Sequence, residues 1–355
     1  MPGICRSCGV PRLLSMTQAW RDGCVVDTTS GSASLCIYEG SYPTALVEEL
    51  ENKLGIPLDR IVYLAGTHAA VKVLGVLYES HPKVGKLLFS APLHRMTERL
   101  LIGFGRAIGV ANVGMVERRR RNGATVKIRD PFDLSNCLAI ISGILQIADG
   151  CPITYDILDG NGSYLVDFTP APEDMHEEEA YQRLFAENLA PRKVEPSFKL
   201  PRCKVCGAPR GVGELCEFDI AQGQIRERRN GERLIFMGVH GLNSIIRELG
   251  WELGHSVNEL FIDFEERHLS AKLAASGEED RLWGEEELRR YLAIRGLGML
   301  GEVREKDGTA TFTVYNAFIA PLVAGRLLAL WEKEHSRQGS YQFDVTDNTL
   351  RFSIS

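Results

Sequence analysis

A chain of 355 residues, 44% hydrophobic and 25% charged, is long enough for two ordinary domains and has the make-up of a globular protein. Its net charge of −6 gives no electrostatic reason to bind nucleic acid, and no run of about 18 uncharged apolar residues offers a membrane span. Nine cysteines at irregular spacing argue against a secreted disulfide framework, and Cys5, Arg6 and Cys8 stand where a secretory signal needs an apolar run, so a reducing, cytoplasmic setting is expected.

In chain order, the first feature is CRSCGVPR from Cys5, a pair of thiols two residues apart followed by Gly and Pro-Arg. The phrase returns as CKVCGAPR from Cys203. After it come AWRDGCVVDTTSGSASLCIYEGS in the first copy and CEFDIAQGQIRERRNGERLIFMGV in the second, both reading as short strands broken by Gly-containing turns. TALVEELENKLG then faces NSIIRELGWELG. Leu46, Val47, Leu50 and Leu54 match Ile245, Ile246, Leu249 and Leu253 as one apolar helical face, with Gly55 and Gly254 at the expected left-handed ends. DRIVYLAGTHAAVKVL lies opposite NELFIDFEERHLSAKL, a match that sets His68 against His268.

Further on, Asn122-Gly123 and Asp307-Gly308 each separate two strand-like runs, and such dipeptides favour type I′ hairpin turns. Val126 and Ile128 answer Phe312 and Val314 at period two. A helix follows in each copy, with Gly143 and Gly325 as close-packing points, and SYLVDF and TLRFSI close the copies. The pattern predicts an α+β protein of two tandem homologous domains, 1–176 and 199–355, each with antiparallel hairpins packed on helices and the two related by a pseudo-twofold. Residues 177–198 read as a linker whose acidic, helix-like start gives way to a Pro-containing connector.

A CxxC pair presents two sulfurs to one metal, and tetrahedral zinc wants four. Pairing the copies brings Cys5, Cys8, Cys203 and Cys206 around a single structural Zn²⁺. Three alternatives stand beside it: two separate sites drawing on Cys24 and Cys216, redox dithiols, and thiols kept only as core residues. Cys36, Cys137 and Cys151 sit in apolar runs and read as core.

The order FD, G-x-I, R, EL, LG in the second copy and its echo in the first resembles the segment preceding the ligand domain of aromatic-sensing bacterial activators. The later hairpin, Gly-containing helix and closing strand resemble the domain itself, the 4-vinyl-reductase (4VR) type or predicted hydrocarbon-binding domain. The resemblance implies binding of a small apolar or aromatic ligand. It marks His94, in SAPLHRM, as a ligand-pocket residue, with His68 and His268 as further candidates, although no Trp follows His94 as in the sensors. The family's Gly-Asp-x-x-Cys metal element is missing from LDGNGSYLVDF and VTDNTLRFSIS, which moves any metal to the amino-terminal CxxC pairs. No ATPase or helix-turn-helix output segment is evident.

Other strings carry less. ERRRR (117–121) lies on one arm of a hairpin and reads as a solvated edge strand. Asp263, Glu265, Glu266 and His268 read as a charged helix face, and GFGRAIG lacks the strand and acidic residue of a dinucleotide site. No nucleophile motif is present, so no catalytic residue is assigned. The leading expectation is a zinc-stabilised, sensor-like binding protein without an output domain. The alternatives are a scaffold using its duplicated fold as a built-in dimer, with a protein partner or a homodimer on its outer faces, and a reductase-type enzyme. An unfilled cavity favours binding, and a solid core favours the scaffold.

Overall fold

The computed structural model describes residues 3–80, 94–119, 122–160, 162–172, 189–195, 198–254, 256–275, 283–306 and 308–355. The first half begins with helix α1 (Arg12–Thr17) and strands β1 (Gln18–Arg21), β2 (Cys24–Asp27) and β3 (Ala33–Glu39). Helices α2 (Tyr42–Leu54), α3 (Asp59–Ser80) and α4 (His94–Ala107) follow. Then come β4 (Asn112–Arg118), β5 (Ala124–Arg129), α5 (Leu134–Asp149), β6 (Ile153–Asp159) and β7 (Tyr164–Pro170). The second half repeats that order: α6 (Arg210–Leu215), β8 (Cys216–Asp219), β9 (Gln224–Glu227), β10 (Arg233–Gly238), α7 (Val239–Leu253), α8 (Ser256–Ala275) and α9 (Glu285–Arg295). It ends with β11 (Met299–Lys306), β12 (Thr309–Tyr315), α10 (Ala320–His335), β13 (Tyr341–Thr346) and β14 (Thr349–Ile354).

The fold is α+β with three antiparallel sheets. A six-stranded sheet runs β1-β2-β3-β10-β9-β8, and two four-stranded sheets run β4-β5-β7-β6 and β11-β12-β14-β13. At the centre of the first, β3 meets β10 with Ile37 opposite Phe236, flanked by Cys36 opposite Met237 and Tyr38 opposite Ile235. The sequence boundary between 1–176 and 199–355 therefore runs through one continuous sheet. Each of the two large buried clusters also draws residues from both halves. The described part of the connector is tied down as well. Ala33 N–H donates to Leu189 O at 2.8 Å, and Arg192 N–H donates to the Asn316 side chain at 3.0 Å.

Local chemistry explains the elements that matter below. Asp133 caps α5 by accepting from Asn136 N–H, and Gly150 ends it in the left-handed region. Along β12, Ala310, Phe312 and Val314 are buried in alternation, the period-two pattern read from the sequence. The two hairpins differ from expectation in one respect. Lys306 pairs with Thr309, with two residues of sequence between them as expected, but Arg118 pairs with Ala124, so the first-half strands close farther from Asn122-Gly123 than a two-residue connection would place them. Gly123 N–H is held by Asp149 at 3.0 Å instead of serving a tight turn. Among the described residues no helix is long and apolar enough to cross a membrane.

β4 is an edge strand, as ERRRR implied, yet its arginines are not simply solvated. Arg118 pairs with Asp149 at 2.6 Å and Glu98 at 3.1 Å, and Arg119 pairs with Asp167 at 2.8 Å. Arg120 and Arg121 lie outside the described residues.

Candidate metal centre and cavity

Each CxxC phrase folds into the same tight loop. Cys5 N–H donates to Val10 O at 2.9 Å and Gly9 N–H to Cys5 O at 2.9 Å. In the second copy, Cys203 N–H donates to Ala208 O at 2.8 Å and Gly207 N–H to Cys203 O at 2.9 Å. Gly9 and Gly207 both have φ of 77°, a conformation that disfavours a side chain, which is why a glycine follows each second cysteine.

The loops meet. Cys5 Sγ lies 3.9 Å from Cys203 Sγ and Cys8 Sγ lies 3.4 Å from Cys206 Sγ. All four sulfurs fall within 4.8 Å of one another. A tetrahedron of Zn–S bonds about 2.3 Å long places its sulfurs roughly 3.8 Å apart, so the set is compatible with that ion. The halves approach closely because residue 213 has no side chain: a Cβ there would sit 1.8 Å from the carbonyl oxygen of Cys8.

The electrostatics suit a metal thiolate. The backbone N–H of Ser7 lowers the pKa of Cys5 against the effect of burial. The backbone N–H groups of Cys206 and Val205 bring Cys203 down to about 6. Burial pushes Cys8 and Cys206 up, so these two thiols need a cation to ionise. Arg6, Arg12, Arg202, Lys204 and Arg210 flank the cysteines in the sequence and are exposed. Cys24 and Cys216, the extra ligands of the two-site alternative, are buried at 1% and 0% exposure and stand apart from this group. Burial raises both thiols, Cys216 to about 12, as it does for Cys36 and Cys137.

A second feature lies under the first-half helices, with part of its wall from β10 and α7 of the second half. A cavity of about 190 Å³ is bounded by the central sheet and by α2, α3, α4, α5 and α7. Its walls are apolar, with Leu46, Val62, Phe104, Ile140 and Phe236 among them, and among the described residues none that lines it is charged. Four polar side chains reach it: Gln18, Ser34, Asn136 and His240. Ser34 Oγ donates to Gln18 at 2.5 Å, and Asn136 donates to Asp133 at 2.9 Å, which leaves the Asn136 oxygen as an acceptor. His240 is 8% exposed. Burial, with Lys72 adding to it, lowers its pKa to about 4 and holds it neutral near pH 7.

The corresponding positions in the second half carry larger and charged side chains, and Glu39, Tyr291 and Arg295 there also line a separate, charged pocket of about 380 Å³. Gly109 and Gly296 close α4 and α9 in the left-handed region, which matches Phe104, Gly105 and Ile108 with Tyr291, Leu292 and Arg295. A Cβ on Gly143 would press on Thr67 O and Ala70 Cβ, and one on Gly325 on Ile262 O and Glu265 Cβ. Gly66 is thereby matched with Phe261, Ala70 with Glu265 and Ile144 with Arg326.

Glu39, Glu265 and Arg326 are each 0% exposed. Arg326 reaches Glu39 at 2.6 Å, Tyr291 Oη at 2.5 Å and Glu265, and its guanidinium lies 4.3 Å over the Tyr38 ring. Lys272 and Arg295 pair with Glu39 at 3.0 and 3.4 Å. Burial works to raise the pKa of Glu39, but Arg326, Arg295 and Lys272 together hold it well below the carboxylate range. For Glu265, burial outweighs Arg326 and a hydrogen bond with Tyr42, and with the charge of Glu39 adding to it lifts the carboxyl to about 7. The charged helix face expected from DFEERH is thus half wrong, since Asp263 is exposed but Glu265 is core.

The three candidate histidines divide. The helix-crossing glycines set His68 opposite Asp263, so His68 and His268 do not occupy matching positions. His68 is 4% exposed on α3, with its pKa lowered to about 4 by burial. His268 packs against the rings of Tyr42 at 5.2 Å and Phe264 at 5.6 Å. His94 begins α4, and its side chain lies outside the described residues. Neither His68 nor His268 lines the cavity, whereas His240 does. Sequence reasoning missed His240 because the second-copy alignment gave it no histidine partner. Its one signal was a polar residue one position into an otherwise apolar strand-to-helix junction, RLIFMGVHGL.

No protein-family model matches this chain, and no curated protein sequence matches it.

Proposed function

We propose that this protein binds an uncharged, mainly apolar small molecule in the first-half cavity, within a duplicated framework clasped by one structural zinc ion. The cavity carries the reading: about 190 Å³ of apolar space with no charged side chain in its described lining, where the matching second-half positions hold the buried side chains of Phe261, Glu265, Leu292 and Arg326. Natural interiors hold few voids larger than a water molecule, so an apolar space that admits a six-carbon ring (about 150 Å³) signals a ligand. Gln18, Asn136 and His240 supply the few polar contacts that orient one. The unfilled cavity favours binding over the scaffold alternative, and the resemblance to 4VR-type domains belongs to the same reading. The zinc assignment rests on four convergent sulfurs with amide donors and flanking cations.

The test is titration of the purified protein with 4-fluorobenzyl alcohol followed by fluorine NMR, alongside elemental analysis. One saturable site and one zinc per chain are expected. A fluorine signal unchanged by millimolar ligand sinks the ligand reading, and metal-free protein that melts at the same temperature sinks the clasp.

A further inference from the structure

A second apolar chamber lies beyond the first. About 70 Å³ is enclosed between α4, α5 and the first-half sheet, lined by Ile102, Val113, Met115, Val126 and Leu145 among others. Its polar wall residues are Thr97 and the mutually paired Glu98 and Arg118, whose ion pair measures 3.1 Å. Both chambers share Leu101, Gly105, Val110, Ile140 and Ile144 as walls. Between them stands Gly105, where an added Cβ would meet nothing within 4 Å. At the matching second-half position Leu292 is fully buried. No residue of α2, α3, α7 or the central sheet lines the second chamber, so Gln18, Ser34 and His240 lie on the side of the first chamber away from it.

We infer that the two chambers form one elongated site past Gly105 that takes an uncharged amphiphile about eight carbons long, its polar end beside His240 and its tail under α4. The inference rests on the binding reading above and names its ligand class. The shape argues against a single compact ring, which would leave the second chamber empty. Among the described residues no charged side chain lines the first chamber, and Lys72, whose charge acts on His240, stands outside that lining, which argues against a carboxylate head without a direct ion partner. Burial keeps the imidazole of His240 neutral, so it can donate to or accept from a hydroxyl or carbonyl. Gly105 is the residue that sets ligand length.

The experiment measures affinities of the full chain for straight-chain primary alcohols from butanol to decanol by calorimetry, with octanoate as the charged control. Each methylene entering the second chamber is expected to tighten binding about fourfold, with the gain ending near octanol. Octanoate is expected to bind at least tenfold more weakly than octanol. In Gly105→Leu, octanol should lose about tenfold more affinity than butanol does. Affinity independent of chain length overturns the inference, as does octanoate binding as tightly as octanol or a variant that weakens butanol and octanol alike. The wild-type series decides without the variant. If 4-fluorobenzyl alcohol binds and the alcohols show no length dependence, the elongated site fails and the binding reading survives. If nothing binds, the binding reading itself falls.

Discussion

The two halves place the same elements around two equivalent volumes and fill them in opposite ways. Around the first-half volume stand Gly66, Ala70, Gly105, Ile108 and Ile144. Around the second stand Phe261, Glu265, Leu292, Arg295 and Arg326, with Glu39 and Tyr42 entering from the first half. One volume is left open to the extent of about 190 Å³. The other is closed by aromatic rings and a buried ion network. The difference lies in side-chain size and charge, not in backbone plan. A repeated framework can therefore keep one site available while the other becomes a structural core that crosses the two halves.

The largest expected effect tests what holds both regions in one molecule. Structural zinc is worth about 10–16 kcal/mol apparent in small peptides, and the four cysteines proposed to hold one here come from both halves. Stripping the metal with a chelator, or Cys203→Ser, should lower the melting temperature more than any substitution below. Calorimetry should register loss of a single transition covering both halves. A metal-free protein with an unchanged melting curve contradicts the clasp.

Next is Arg326→Leu, which leaves Glu39 and Glu265 buried without their shared cation. Breaking a buried pair by removing one partner costs about 3–5 kcal/mol. The reciprocal change at the matched position, Ile144→Leu, swaps one apolar side chain for another at a cavity wall and should cost under about 1.5 kcal/mol. Equal denaturation midpoints for the two variants would break the claim that one volume is core and the other is not.

Titration separates the same two carboxylates. Glu265 has a folded-state pKa raised to about 7, so the folded protein holds this proton more tightly than the unfolded chain does. Its contribution favours folding at acid pH and is lost as pH rises from about 4.5 towards 7. Glu39 is held well below its usual range, so its contribution is present above about 4.5 and is lost as pH falls below that. Glu265→Gln should flatten the decline in stability between about pH 4.5 and 7, and Glu39→Gln should remove part of the acid-side loss. Urea midpoints measured across that range check both. If Glu265→Gln leaves the slope unchanged, the carboxylate is not the group that titrates there.

How much of this could be read from residues alone depended on whether the chemistry was written locally. The CxxC phrases carried Cys5, Cys8, Cys203 and Cys206, because ligand type, spacing and the following glycine are all local. The alternation at Ala310, Phe312 and Val314 and the glycines at 143 and 325 likewise declared themselves. The buried network did not. Glu265 looks like one more charge on a polar helix until Arg326, sixty-one positions away in the sequence, is seen to reach it. The cavity left no positive signal either, since Gly66, Ala69 and Ala70 read as ordinary small residues of a helix and Gly105 as part of the glycine run GFGRAIG. What they omit becomes visible only when α3, α4 and α5 are packed around them. The shared six-stranded sheet was hidden for the same reason: pairing between Ile37 and Phe236 is long-range, and neither strand says which neighbour it will take.

The smallest expected effect is the sharpest test of the comparison, because it asks the first half to become like the second at one position. Gly105→Leu places the residue found at the matched position, Leu292, into space where a Cβ meets nothing within 4 Å. Replacing glycine inside a helix gains roughly 0.8–1.0 kcal/mol of intrinsic propensity relative to alanine, and leucine ranks close behind alanine. Part of the new side chain also leaves water for an apolar wall. The variant should therefore be more stable by about 1 kcal/mol while giving up ligand length. In the other direction, Leu292→Ala opens a packed core and should cost about 2–5 kcal/mol. Opposite signs for the two exchanges, read from denaturant midpoints at constant m, are what an open site and a filled core require. A Gly105→Leu protein that is destabilised would mean that the chamber beneath α4 is not open to a side chain.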